Sequence, residues 1–136
     1  MGWRHRLQVA EAIALLLTAR LLVALVPFRY WRPSLGRIVA APQAMAGTEA
    51  SLPVVRAHRQ AVKRLPITVK CLPEAMALQW MLRRRALASV LTIATLPRAG
   101  RSTLDDLHAW VSSAGGVLVG ESALPYVPVL HLQSGD

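Results

Sequence analysis

Every segment with helical spacing precedes the runs with strand-like alternation, and this order most narrows what the chain can fold into. A parallel sheet wound with helices needs the two to alternate along the chain. Helices gathered first and strands last give instead an α+β arrangement with a small antiparallel sheet. Residues 7–26 read as one apolar helix closed by Pro27. Val54 to Leu65 has helical spacing, with Val55, Val62 and Leu65 near one face and Arg56, Arg59, Lys63 and Arg64 mostly on another. Leu72 to Ala86 is the strongest helix, apolar nearly all round and therefore central. Three strand-like runs follow, Ser89–Leu96, Leu107–Ser113 and Val117–Glu121, the last two joined through a hairpin at Ala114-Gly115-Gly116.

At 136 residues the chain is expected to form one domain, with an N-terminal helix and basic connector over 1–37 and the functional core over 54–136. Apolar residues make up 54% and charged residues 17%, which excludes a disordered chain. The formal charge of +9 favours an acidic partner: nucleic acid, an anionic membrane face, or an acidic protein or peptide. The basic-aromatic stretch FRYWRPSLGR (28–37) has no nucleic-acid module around it, so no nucleic-acid partner is expected; it reads as a loop pinning aromatics to the core. Residues 40–53 read as a linker. Arg20 interrupts the apolar run of the first helix, and no small-residue cleavage site follows. That helix is therefore read as a core or partner contact, with peripheral docking on a membrane as the alternative.

A single cysteine excludes an internal disulfide, and with His and acidic residues elsewhere it fits an intracellular thiol nucleophile; a cytoplasmic location is expected. Cys71 stands at or one residue before the start of the central helix, where exposed backbone N–H groups and the helix dipole favour a thiolate and offer donors for an oxyanion. The competing reading is an inert cysteine that happens to precede a helix. His108, in the strand LHAWVSS, is the candidate base. His5 and His58 sit among basic residues and are expected to be exposed, and His131 falls in the tail. No Cys or His pair has ligand spacing, so neither a metal nor a cofactor is expected.

A third group should hold the imidazole's tautomer. If Ala114-Gly115 is a two-residue turn, paired numbers sum to 229 and His108 faces Glu121; a three-residue loop puts Ser122 opposite instead, with Glu121 diagonal. Glu121 is the candidate orienter, with Asp105 and Asp106 as competitors. Glu74 is read as helix-terminus electrostatics, Gln79 as too far along the helix to serve as an oxyanion donor, and Trp80 as packing.

The string CLPEAMALQWMLRRR from Cys71, the strand LHAWVSS, the N-terminal LVPFRYWRPSLGR and the closing YVPVL together resemble the leader-peptidase part of the lasso-peptide biosynthesis protein B family. The resemblance covers most of the chain and implies a transglutaminase-like fold with papain-like geometry, Cys71 as nucleophile and His108 as base. It implies cleavage of the leader from a ribosomally made precursor. The partners it implies are that leader peptide, a separate leader-recognition protein, since 136 residues leave no room for a recognition domain beside the peptidase, and an ATP-using lasso cyclase. The family commonly has Asp where Gly120 stands, so Glu121, one residue on, is the expected substitute. The rivals are a peptide-binding adaptor of the same fold and a transglutaminase-like acyl transfer.

Overall fold

The computed structural model describes residues 2–40, 51–67, 69–95, 107–113, 116–119 and 127–134. The order along the chain is α1 (Trp3–Leu25), α2 (Phe28–Trp31), a 3-10 turn (Arg32–Leu35), β1 (Arg37–Val39), α3 (Ser51–Arg64), α4 (Cys71–Arg84), β2 (Ser89–Thr95), β3 (Leu107–Ser113), β4 (Gly116–Val119) and β5 (Val127–Ser134). The helices form one layer and the strands one antiparallel sheet in the order β1-β5-β2-β3-β4, the α+β arrangement expected.

Two parts of the sheet are new relative to the sequence reading. The connector 28–37 is not a loop but a short helix, a 3-10 turn and the first residue of an edge strand. The tail, including His131, is the inner strand β5, flanked by β1 and β2. Gly36 makes the first of these possible. Its φ is +128°, and a Cβ there would collide with the Gln133 carbonyl, so only glycine lets β1 close on β5. The aromatic connector does pin to the core, since Trp31 is buried and donates its Nε1 proton to the Val26 carbonyl at 3.0 Å.

α4 is the central helix. Ala75, Met76, Leu78, Met81 and Leu82 are fully buried, packed among Val9, Leu16 and Ala19 of α1, Val54 and Ala61 of α3, and Leu91 and Leu132 of the sheet. Burying this many apolar side chains at roughly 1.5–3 kcal/mol each for the larger ones supplies the main driving force. Gln79 is the polar exception within it. Fully buried, it donates from Nε2 to the carbonyls of Leu35 (2.8 Å) and Leu132 (3.0 Å) and accepts from Ser89 Oγ (2.6 Å). It thereby ties α4 to the 3-10 turn, β5 and β2, a structural role that keeps it out of any oxyanion chemistry. Trp80 packs against the core and donates to Ser34 Oγ at 2.8 Å.

Candidate active site

Lys70 is the N-cap of α4, with extended backbone and no side-chain capping bond, and Cys71 is the first helical residue. The helix thus starts one residue before the expected Leu72, and the half-buried thiol stands at its positive end. β3 reaches the same region because α4 packs across β2 and β3. Along β3, Ala109 and Val111 are buried in the core, while His108 and Trp110 are half-buried, their rings 6.0 Å apart at 41°.

Cys71 and His108 line one cleft of about 480 Å³. Its walls come from four elements: Lys70, Leu72 and Pro73 at the mouth of α4, Ile93 of β2, Ala109 of β3, and Arg20, Val23 and Ala24 of α1. The opening is large enough for a peptide segment and mostly apolar in its lining residues, with two cations, Lys70 and Arg20, at its edge. Arg20, which the sequence reading treated as an interruption of an apolar run, is part of this wall. A second recess of about 470 Å³, among Arg32, Arg37 and Arg83, shares no residue with it.

Of the three sequence-derived site residues, the cleft brings two together. Glu121, with its competitors Asp105 and Asp106 and the departure at Gly120, lies outside the described residues. The register on which Glu121 was placed does change. Ser113 pairs with Gly116 and Ser112 with Val117, both summing to 229, but a bulge then sets Val111 opposite Val119. The sum of 230 at Val111 is that of the alternative register expected from the sequence, with Ser122 opposite His108 and Glu121 diagonal.

Among the described residues, Glu74, three residues after Cys71 and so on the same side of α4, is a carboxylate that feels the charge of His108. Partial burial holds its carboxyl above the usual range, and the charges of His108 and Arg59 act in the opposite direction. Helix-terminus electrostatics was an incomplete account of Glu74. The available signal was its i, i+3 spacing from Cys71.

His58 needs a correction. Expected to be exposed, it is fully buried, and its Nε2 donates to the Glu74 carbonyl at 2.7 Å. Its helical spacing from Val54 (i−4) and Ala61 (i+3), both buried, outweighs its basic neighbours in sequence. Burial drives its pKa down to about 4, against the smaller upward pull of the bond to Glu74, so the ring is neutral and braces the first turn of α4 from α3. Among the described residues no three His, Cys, Asp or Glu side chains gather as a metal site would require.

A family model for the transglutaminase-like superfamily matches residues 13–131. The chain belongs to that superfamily. Its members include cysteine peptidases and acyl transferases, and are often cysteine-based enzymes. No curated protein and no solved structure matches the chain. In this transglutaminase-like domain the matched span runs from within α1 to within β5, and so takes in every wall of the cleft.

Proposed function

We propose that this transglutaminase-like domain is a thiol peptidase that removes the leader from a ribosomally made precursor peptide of the lasso type. The observation that supports it is the shared cleft of Cys71 and His108. The Cys71 sulfur attacks the scissile carbonyl carbon while His108 takes the thiol proton and passes it to the departing amine as the C–N bond breaks. Water, deprotonated by His108, then attacks the thioester carbon and frees Cys71. Backbone N–H groups at the start of α4 are the donors that hold the tetrahedral oxyanion in this reading. The lasso assignment rests on the sequence resemblance, and with it come the partners: the leader peptide, a separate leader-recognition protein and an ATP-using cyclase, in the cytoplasm.

Cys71→Ala should fold and cleave no precursor, read by mass spectrometry of precursor incubated with the enzyme and its recognition partner. Normal processing by that variant would remove the peptidase reading and leave a peptide-binding adaptor. His108→Ala should lose roughly 10²–10⁴-fold in rate. The candidates for the third role are Glu121 and Glu74, with Asp105 and Asp106 as competitors, and single alanine variants separate them: the orienter's loss lowers kcat, whereas loss of any other leaves it near wild type. Acyl transfer is the second reading, favoured by the breadth of the superfamily. A product bearing an added amine in place of a new carboxylate would establish it.

A further inference from the structure

We propose that the outer face of α1 pairs antiparallel with the same face of a second copy of this chain. The inference does not rest on the peptidase reading, although Ala24, at the end of the seam, also lines the Cys71–His108 cleft. α1 buries Val9, Ala12, Leu16 and Ala19 against the domain. On the opposite side Leu7, Ala10, Ala14, Leu17, Leu21 and Ala24 are all exposed, with Leu7 at 58%, Leu17 at 41% and Leu21 at 60%. Their spacing alternates strictly between three and four residues, the seam that two packed helices share.

The order of large and small residues along this seam is self-complementary. In an antiparallel pair with opposing numbers summing to 31, Leu7 meets Ala24, Ala10 meets Leu21, and Ala14 meets Leu17. Every layer sets a leucine against an alanine, which fills the space between helices evenly and lets them approach closely. In this register Arg4, Arg6 and Arg20 come level with Pro27, Leu25 and Glu11 of the second copy, so no two arginines face each other.

The area is adequate. With Trp3 (67% exposed) and Leu25 (77% exposed) at its ends, the face presents on the order of 500 Å² of apolar surface, the size of the largest apolar patch on a typical monomer, which is often functional. Two copies would bury on the order of 1,000 Å², about the threshold for a specific interface. α1 is, by length and composition, apolar enough to cross a membrane, but its inner face is packed on α3 and α4 and Glu11 is ion-paired to Arg84 and Arg85. A membrane surface would contact the same outer face yet gain nothing from the leucine–alanine order.

Sedimentation equilibrium of the full chain without lipid tests the pairing. The wild type should show a concentration-dependent dimer. Ala14→Leu sets leucine against leucine in the two central layers and should weaken the dimer by about tenfold or more. The double variant Ala14→Leu/Leu17→Ala restores a leucine opposite an alanine and should recover the wild-type constant. Both positions are exposed, and circular dichroism of each variant confirms the fold. A wild type that stays monomeric throughout overturns the proposal, as does a dimer indifferent to Ala14→Leu. A monomer that instead co-sediments with phosphatidylserine vesicles, more strongly with Ala14→Leu, also overturns it and assigns the face to a membrane.

Discussion

Ala86 holds φ at +56°, a left-handed conformation that costs an L-residue with a Cβ about 1 kcal/mol. The reason is the way α4 stops. Leu87 N–H reaches back to the Leu82 carbonyl and Ala86 N–H to Arg83, both at 3.0 Å, satisfying carbonyls that the helix end would otherwise leave unpaired. Glycine is the residue this position ordinarily takes. Ala86→Gly should therefore stabilise the domain by about 0.5–1 kcal/mol, after the entropy it adds to the unfolded chain is allowed for. Chemical denaturation checks this through a raised midpoint at unchanged slope. A lowered midpoint would mean that the Ala86 methyl group contributes more than the strain it bears.

Between elements, the first helix is joined to the central one by an ionic contact as well as by apolar packing. Glu11 of α1 accepts two bonds from Arg85, from Nη2 at 2.5 Å and Nη1 at 3.1 Å, and one ion pair from Arg84 at 2.8 Å. The arginines look equivalent in sequence, but their surroundings differ. The Arg84 side chain is 63% exposed, Arg85 only 29%, and Arg85 also donates to the Met81 carbonyl. A two-pronged, partly buried contact outweighs a solvent-screened one. Arg85→Ala should cost about 1–3 kcal/mol and Arg84→Ala less than about 0.5. Equal losses in thermal unfolding would show that Glu11 does not distinguish the two. Glu11 thereby ties to α4 the same helix that contributes Arg20, Val23 and Ala24 to the cleft wall.

For the molecule as a whole, the buried neutral His58 makes stability depend on pH. Its folded pKa of about 4 lies below the ordinary 6.5, so the unfolded chain takes up the proton first as pH falls. Above pH 6.5 both states are neutral and nothing is lost. Between 6.5 and 4 stability declines, approaching a total of about 3 kcal/mol near the lower limit. His58→Gln keeps a donor for the Glu74 carbonyl but does not titrate. Denaturation midpoints measured from pH 7 to 4.5 should fall less steeply for this variant than for the wild type, and parallel curves would assign the acid sensitivity to other groups. Glu74, whose pKa is raised, works in the opposite sense: the contribution of its protonated form is lost as pH rises through the folded value.

The helix order, the extents of β2 and β3, the buried centre of α4 and the position of Cys71 at its mouth were all legible in the sequence. Each depends on periodicity, proline placement or terminal charge within some fifteen residues. The role of β1 and β5 was not, because a three-residue edge strand and a proline-containing tail carry no local signal; they become strands by pairing with each other and with β2 across the length of the chain. Local reasoning likewise missed the burial of His58, the influence of the His108 charge on Glu74 and the bulge that shifts β4. Each depends on what a neighbouring element presents. A chain's own spacing determines which face of a helix or strand is apolar, but the dielectric and the charges around a titratable group come from residues distant in sequence. For that reason the candidate nucleophile could be named from local sequence, while the influence of His108 on Glu74 emerged only when α3, α4 and β3 were packed together.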